Sequence, residues 1–231
     1  MDKSRLEIFP GVWLDHRRAV FLERESILAV ADLHLGYAWA QRYNGQMLPV
    51  HLQDDLRSRL SNLCAFYKPR QFAILGDIVH QAVPVAEISQ ELSELFSTLS
   101  AICGLKLVLG NHDKNLRKII SATAELEFHN SIETERFFLA HGNNISEAPP
   151  GKCVIMGHEH PAISLGDGIA SAKFPCFVVS ERALLLPAFS LWAAGSNIRA
   201  YEFMSPLART ARFTKAVAIC GTKLLPVRLA V

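Results

Sequence analysis

Five short segments of this chain bring metal-ligating and proton-transferring side chains together in quick succession. They are Asp32-Leu33-His34, Gly76-Asp77-Ile78-Val79-His80, Gly110-Asn111-His112-Asp113, His141-Gly142 and Gly157-His158-Glu159-His160. Asp, His and Asn offer borderline nitrogen and hard oxygen donors without a thiolate. That set suits Mn²⁺, Fe or Zn²⁺ and disfavours Cu(I) or a Cys-rich structural zinc site. The i, i+2 spacing of Asp32 with His34, and of His158 with His160, predicts that each pair converges on one location, because alternate side chains of extended backbone project the same way. Gly76, Gly110, Gly142 and Gly157 predict tight turns and close backbone approach beside the donors. Taken singly, each segment has a plain structural explanation: Gly-Asp is turn chemistry, and Asn-His-Asp after glycine suits a helix N-cap for Leu116 to Ile120. Their shared order, each behind a run that reads as a buried strand, is what coincidence does not supply.

Those runs are Ile27 to Ala31, Phe72 to Leu75, Leu105 to Leu109, Phe137 to Ala140 and Cys153 to Met156. Shorter β-rich runs, Gly11 to Leu14 and Ala19 to Leu22, precede them. Leu52, Leu56, Leu60 and Leu63 recur at helical spacing within Val50 to Phe66, which Pro69 closes off, and Val85, Ile88, Leu92, Leu95 and Leu99 repeat the pattern. The resulting β-α-β-α-β order predicts a largely parallel inner sheet covered by helices, with ligand loops at the carboxyl ends of its strands. Beyond about Leu126 only short strands are expected: those at Phe137 and Cys153, then Phe177 to Val179, Ala183 to Leu186 and a closing hairpin around Gly221-Thr222. The whole predicts a two-layer β core flanked by helices.

At 231 residues, against about 150 per domain, the chain is expected to form a single domain over 1–231, with no repeat or linker dividing it. Half of the residues are hydrophobic and a fifth charged, so a substantial core forms and a disordered chain is excluded. A formal charge of +2 excludes a surface that grips polyanions all over, so any such contact is local. Five cysteines without a C-x-x-C pair point away from a disulfide framework and a zinc finger. The start of the chain has no apolar h-region, and its longest apolar stretch, Ala183 to Gly195, is broken by Pro187. The expectation is a cytoplasmic protein with no membrane segment.

In their order, the five blocks from Asp32 to His160 resemble the calcineurin-like metallophosphoesterase superfamily, whose signature runs D-x-H, G-D-x-x-D/H, G-N-H-D/E, G-H or H-G, and G-H-x-H. Gly11-Val12, Ala31-Asp32-Leu33-His34-Leu35-Gly36, the Arg42 to Pro49 segment with Gly45, and Leu184 to Phe189 resemble more narrowly its bacterial and archaeal branch of ligase-associated DNA damage response endonucleases. The resemblance implies a four-layer α/β/β/α sandwich in which two mixed β-sheets are flanked by helices. It implies two divalent ions, Mn²⁺ first and Fe or Zn²⁺ as alternatives, about 3.5–4 Å apart. Asp32, His34, Asp77 and His160 would bind the first, and Asp77, Asn111, His141 and His158 the second, with Asp77 as the bridge. It further implies attack on phosphorus by a hydroxide spanning the ions, proton supply to the leaving oxygen by His112, and an Asp113 that fixes the His112 tautomer and orientation. His80 stands where many relatives carry Asp, and its role is open between supporting the ligands and facing the substrate.

The implied activity is hydrolysis of phosphodiesters, in nucleic acid as a DNA-repair endonuclease or in nucleotide diesters. A phosphomonoesterase or protein phosphatase would use the same centre. A non-catalytic scaffold, as in the retromer subunit that resembles this fold, would have no need of a complete ligand set. A DNA ligase and a helicase enter as functional partners through the resemblance alone. For substrate contact, Arg42 and Tyr43, with Trp39, could set a cation and an aromatic beside a base or phosphate, the alternative being a packed loop with a solvated arginine. Arg209, Arg212, Lys215, Lys223 and Arg228 either steer a polyanion or form the polar face of a terminal hairpin that buries Val217, Ile219, Leu224 and Val227. His16, His51 and His129 lie outside every motif and read as ordinary histidines.

Overall fold

The computed structural model describes residues 3–46, 52–80, 86–120, 126–166, 170–200 and 202–229. Val50, His51, Val85 and the 47–49 part of the segment expected to face substrate lie outside them. The chain opens with strands β1 (Arg5–Phe9), β2 (Val12–Asp15), β3 (Ala19–Leu22) and β4 (Ile27–Val30), then helices α1 (Tyr37–Tyr43) and α2 (Leu52–Tyr67). Strand β5 (Gln71–Leu75), helix α3 (Ala86–Ser100) and strand β6 (Gly104–Val108) follow. A 3₁₀ turn (Asp113–Asn115) then leads through α4 (Leu116–Ile119) to β7 (Glu127–His129). The second half is built of β8 (Ser131–Glu133), β9 (Phe137–Ala140), β10 (Cys153–Met156), β11 (Pro161–Gly166), β12 (Ser171–Val179), β13 (Ala183–Leu185) and β14 (Ser196–Asn197). It closes with helix α5 (Pro206–Thr210) and the hairpin β15 (Lys215–Cys220) and β16 (Lys223–Arg228).

Strands β1 to β7 form one sheet in sequence order, and β8 to β16 form the other. Both sheets are mixed. Pairing is parallel from β4 through β7, where helices separate successive strands, and antiparallel from β1 through β4, where tight turns do. The inner sheet is therefore parallel only in the half that alternates with helices, because the N-terminal strands add a meander. In the second sheet β10 lies between β9 and β13, parallel to both.

Side-chain alternation places the three apolar layers. Along β4, Leu28 and Val30 face the helices with Leu60 and Leu63 of α2 and Leu92 and Phe96 of α3, whereas Ile27 and Ala29 face the other sheet. Along β10, Ile155 faces the first sheet, while Val154 and Met156 face outward against Leu207 and Ala208 of α5. The layer outside the second sheet is thus one five-residue helix with irregular backbone around it. In the closing hairpin Val217, Ile219 and Leu224 enter the inter-sheet core, but Val227 packs on the outward side, and Lys215, Lys223 and Arg228 are exposed. Strand β1 had no clear sequence signal because Arg5 and Glu7 interrupt its apolar side chains, and β11 was masked by Pro161 at its start. Among the described residues, no helix is long and apolar enough to cross a membrane.

One buried charge ties the base of the first sheet to α2. The Asp15 carboxylate, 1% exposed, accepts from the Arg17 amide at 2.9 Å, from Arg17 Nε and Nη2 at 2.8 and 2.7 Å, and from the Tyr67 hydroxyl at 2.7 Å. Burial pushes the Asp15 carboxyl upward, but the Arg17 and Tyr67 bonds outweigh it and hold the group below the ordinary carboxylate value. A folded-state pKa below the unfolded one stabilises the fold above about pH 4, and that contribution is lost as pH falls through the folded-state value. Asp15→Asn is expected to cost about 1–3 kcal/mol at neutral pH and to flatten the fall of the melting temperature below pH 4. An unchanged acid slope in thermal melts would refute this role.

Candidate metal centre

The ligand candidates sit where the chain leaves the carboxyl ends of β4, β5, β6, β9 and β10. Parallel pairing of β4 with β5 continues past the strands: the Asp32 amide donates to Gly76 O, His34 N to Asp77 O, Leu35 N to Ile78 O and His80 N to Leu35 O. The two loops therefore advance as a pair. Asp32, His34, Asp77, His158 and His160 all adopt left-handed backbone, with φ of 57°, 48°, 46°, 68° and 44°. This replaces the extended geometry expected from the i, i+2 spacing. Asp32 and His34 do converge, but through left-handed turns, and His158 and His160 separate into different clusters. Asp and His tolerate this region better than bulky residues do, yet a non-glycine residue held there costs about 1–3 kcal/mol and persists only where its surroundings over-determine it.

Asp32, His34 and His160 form one cluster and Asp77, His141 and His158 the other; within each, the ligand atoms lie within 4.8 Å of one another. His34 Nε2 and His160 Nε2 face each other at 3.1 Å, with Asp32 Oδ1 3.5 Å from His160 Nε2. In the second cluster His141 Nδ1 lies 3.1 Å from the Leu75 carbonyl, which can only accept, so that nitrogen carries the hydrogen. His141 Nε2 then presents a lone pair to Asn111 Oδ1 at 3.0 Å, His158 Nδ1 at 3.1 Å and Asp77 Oδ1 at 3.4 Å.

Burial pushes His34 down to about 3 and, with His141 nearby, His158 down to about 4, so both rings are neutral and offer lone pairs. Burial raises the Asp77 carboxyl, and the neighbouring Asp32 charge adds to this. Burial opposes ionisation of Asp32 as well, but His160, through charge and a hydrogen bond, leads in holding its carboxyl low. Lone pairs and carboxylate oxygens converging at such distances repel unless a cation lies among them, so both clusters fit divalent metal ions.

The remaining candidates surround these clusters. His112 stands at the mouth, its Nε2 3.8 Å from Asp77 Oδ2 and its amide donating to Asp77 Oδ1 at 3.1 Å. The expected partnership of Asp113 with the His112 ring is not what the structure shows. The Asp113 carboxylate accepts from the Val79 and Gly110 amides at 3.1 and 2.8 Å, while His112 Nδ1 donates to the His80 carbonyl at 2.7 Å. Buried at the start of a turn, Asp113 is saturated by backbone donors and joins the β5 and β6 loops, and the His80 carbonyl sets the His112 tautomer.

Gly76, Gly110 and Gly157 make the close approaches, and a Cβ on Gly76 would run into the His141 ring. A Cβ on Gly110 would run into the Asp77 amide and Oδ1, and one on Gly157 into Asp32 Oδ2 and Ala31. Arg42 lies over the Trp39 ring at 5.5 Å, and Tyr43 is 67% exposed at the end of α1, so the ring of this segment that reaches the histidines is Tyr37. His16 and His129 keep to ordinary surroundings, beside Ser4 and Glu127.

A family model described as calcineurin-like phosphoesterase matches residues 25–162, more than half of the chain and all of both clusters. The chain belongs to the calcineurin-like phosphoesterase family. It is accordingly a metal-dependent phosphoesterase, and the two clusters above are its candidate sites for divalent ions. The Pseudomonas putida nuclease MPE shares the fold: it aligns over 96% of this chain and 98% of its own, at 24% identity and a TM-score of 0.71. An Aquifex aeolicus protein of unknown function, AQ665, aligns over 58% of this chain and 78% of its own, at 20% identity and a TM-score of 0.36. No curated protein matches this phosphoesterase in sequence.

Several residues that build the centre were not among the candidates, Glu159 because it is the variable position of the Gly157–His160 block. Glu159, 1% exposed, accepts from the Met204 and Ser205 amides at 3.0 and 2.6 Å, and Ser205 in turn caps α5, so the outer helix is pinned to the His158–His160 loop. Residues 188–190 form a strap. The Phe189 and Ser190 amides donate to the Ala31 and Asp32 carbonyls at 2.8 and 3.1 Å. On the strap's other edge, Arg18 Nη1 donates to the Ala188 and Ser190 carbonyls at 2.8 and 2.6 Å, and Arg59 Nη2 to the Phe189 carbonyl at 3.1 Å. Burial, with Arg59 beside it, pulls Arg18 down to about 10, which leaves it charged at neutral pH. Only the preceding Leu184 to Phe189 run hinted at the strap.

Two outcomes follow. Gly110→Ala is expected to weaken divalent-ion binding by tenfold or more, read by isothermal titration, because its methyl displaces Asp77. Arg18→Met is expected to cost about 2–3 kcal/mol of stability and to weaken metal binding as well, and an Arg18→Met protein with undiminished metal affinity would show that the strap does not position Asp32.

Proposed function

We propose that this chain, acting as one phosphoesterase domain over 1–231, is a phosphodiesterase that cleaves nucleic acid or nucleotide diesters, with Mn²⁺ as its metal and DNA repair as its setting. The observation that carries the reading is the placement of His112 at the edge of the Asp77 cluster with its tautomer already set. Support for the nucleic-acid substrate comes from the endonuclease-like sequence blocks and from the fold shared with a nuclease. The same resemblance suggests a DNA ligase and a helicase as functional partners.

Asp32, His34, Asp77 and His160 would hold one ion, and Asp77, Asn111, His141 and His158 the other. When bound, the ions supply Lewis acidity and charge neutralisation for the phosphoryl oxygens and lower the pKa of the attacking water. The chain's own residues do the rest. Hydrolysis adds water across a P–O bond, oxygen to phosphorus and a proton to the departing alkoxide. His112 Nδ1–H is committed to the His80 carbonyl, so Nε2 is the atom that carries the transferable proton, and it faces the centre. Asp113 and the His80 carbonyl keep that ring from turning away by fixing the loops on either side of it. Loss of the His112 side chain matters most where the leaving group is a poor one, such as a sugar alkoxide, and least for nitrophenolate, which departs without a proton.

The test is hydrolysis of bis-p-nitrophenyl phosphate, p-nitrophenyl phosphate and a single-stranded oligonucleotide with added Mn²⁺. Wild type is expected to prefer the diester over the monoester and to cleave the oligonucleotide. Asp77→Asn is expected to lose metal binding and all three activities, and His112→Ala to slow oligonucleotide cleavage by about 10² to 10⁴ while binding metal normally. A preference for the monoester would assign a phosphatase instead, and metal-dependent turnover in Asp77→Asn would overturn the ligand assignment.

A further inference from the structure

A row of half-buried rings leads out from the centre. His80 stacks on His112 at 6.0 Å between centroids and 16° between planes. Tyr37 meets His80 edge-on at 4.7 Å, and Trp192 stacks on Tyr37 at 5.4 Å and 24°. The two outer rings are tied to the first metal loop, one directly and one through the strap. Tyr37 is the first residue of α1, directly after the Asp32–Gly36 loop, and Trp192 follows the strap whose amides hold Ala31 and Asp32. The Trp192 amide also donates to Ser190 Oγ at 3.3 Å. The stacked pair is thereby fixed relative to the ligands instead of riding on a free loop. Beside it runs a narrow cleft that His34 and Arg59 also line, the Arg59 guanidinium being held against the Phe189 carbonyl and ring, and Leu191 next to Trp192 is 50% exposed. Aromatic faces two and three ring spacings from the metal-ligand candidate His34 match two parts of a nucleotide chain held at such a centre: a base and, next to it, the scissile phosphate.

We propose that Tyr37 and Trp192 form a base-stacking platform that seats a nucleobase neighbouring the scissile phosphodiester, which makes them specificity-determining residues of this centre. The inference rests on the phosphodiesterase reading above and adds to it the part of the substrate that is read. Stacking tolerates any base, since each has a π-face, so the platform selects nucleic acid over simple diesters without selecting a sequence. It acts on an unpaired base, whose face is free.

The experiment is an abasic scan. A spacer lacking the base is walked along a single-stranded oligonucleotide, and cleavage at each bond is measured with wild type, Tyr37→Leu, Trp192→Leu and Trp192→Phe, each checked for a cooperative melt. With wild type, one spacer position beside the cleaved bond is expected to raise KM about 5- to 100-fold, with a smaller effect on kcat. Trp192→Leu and Tyr37→Leu are expected to show that rise on the intact oligonucleotide and no further rise with the spacer, because the base has already lost its partner. Trp192→Phe, which keeps a ring, is expected to retain most of wild-type KM and to serve if the leucine variants do not fold. Variants that cleave the intact strand with wild-type KM, or whose losses add in full to that of the spacer, would overturn the platform while leaving the phosphodiesterase reading intact. A wild-type protein that hydrolyses bis-p-nitrophenyl phosphate but no oligonucleotide would overturn the nucleic-acid reading and the platform with it.

Discussion

A fully buried carboxylate is the constraint on which the rest of the centre depends. Asp32 has no solvent exposure, and burial opposes its ionisation; His160 beside it, through charge and a hydrogen bond, leads in holding the carboxyl below the ordinary carboxylate value. Its oxygens take the His158 amide, its own amide goes to Gly76 O, and its carbonyl receives Ser190 N. One residue thereby joins four loops from both sheets. An ion in a low-dielectric interior costs several kcal/mol when a partner is missing, so none of these loops can relax independently of the others.

The same interlock supports the left-handed residues. Five strained positions in one site would be untenable on separate loops. Here they lie on paired backbone, with the β4 and β5 loops bonded residue by residue and the β10 loop fastened through Asp32 on one side and Glu159 on the other. Strain and burial act together: the turns aim side chains inward from strand ends, and the close approach this requires is why Gly110 and Gly157 leave no room for a methyl group.

Much of this was legible from residue types. The central strands and both long helices follow from apolar periodicity, and the donor set with its cation chemistry follows from Asp, His and Asn recurring at strand ends. Other features were not legible, for identifiable reasons. The spacing of His158 and His160 is the same in an extended segment as in a pair of left-handed turns, so spacing alone could not say that they serve different clusters; only the family resemblance divided them. The partner of His112 is the main-chain carbonyl of His80, and any residue type has a carbonyl. Arg18, Arg59 and the strap meet only in three dimensions, through backbone atoms that leave no trace in composition. Tyr37 and Trp39 look alike as aromatics two positions apart, and only the start of α1 decides which one faces the histidines and which one faces α3.

The strap also sets when the centre can exist. Arg18 and Ser190 are 172 residues apart, and at about 5–20 residues per second a ribosome needs roughly 9–34 s to make the chain between them. From the moment Asp77 is made until Ser190 follows, Asp32, His34 and Asp77 are all present while the loop that locks them is not. The first sheet can collapse on its helices during translation, but its acidic and imidazole groups stay accessible until the second sheet arrives. The main-chain and arginine contacts that hold Asp32 from the strap therefore form only after the strands through β13 have been made.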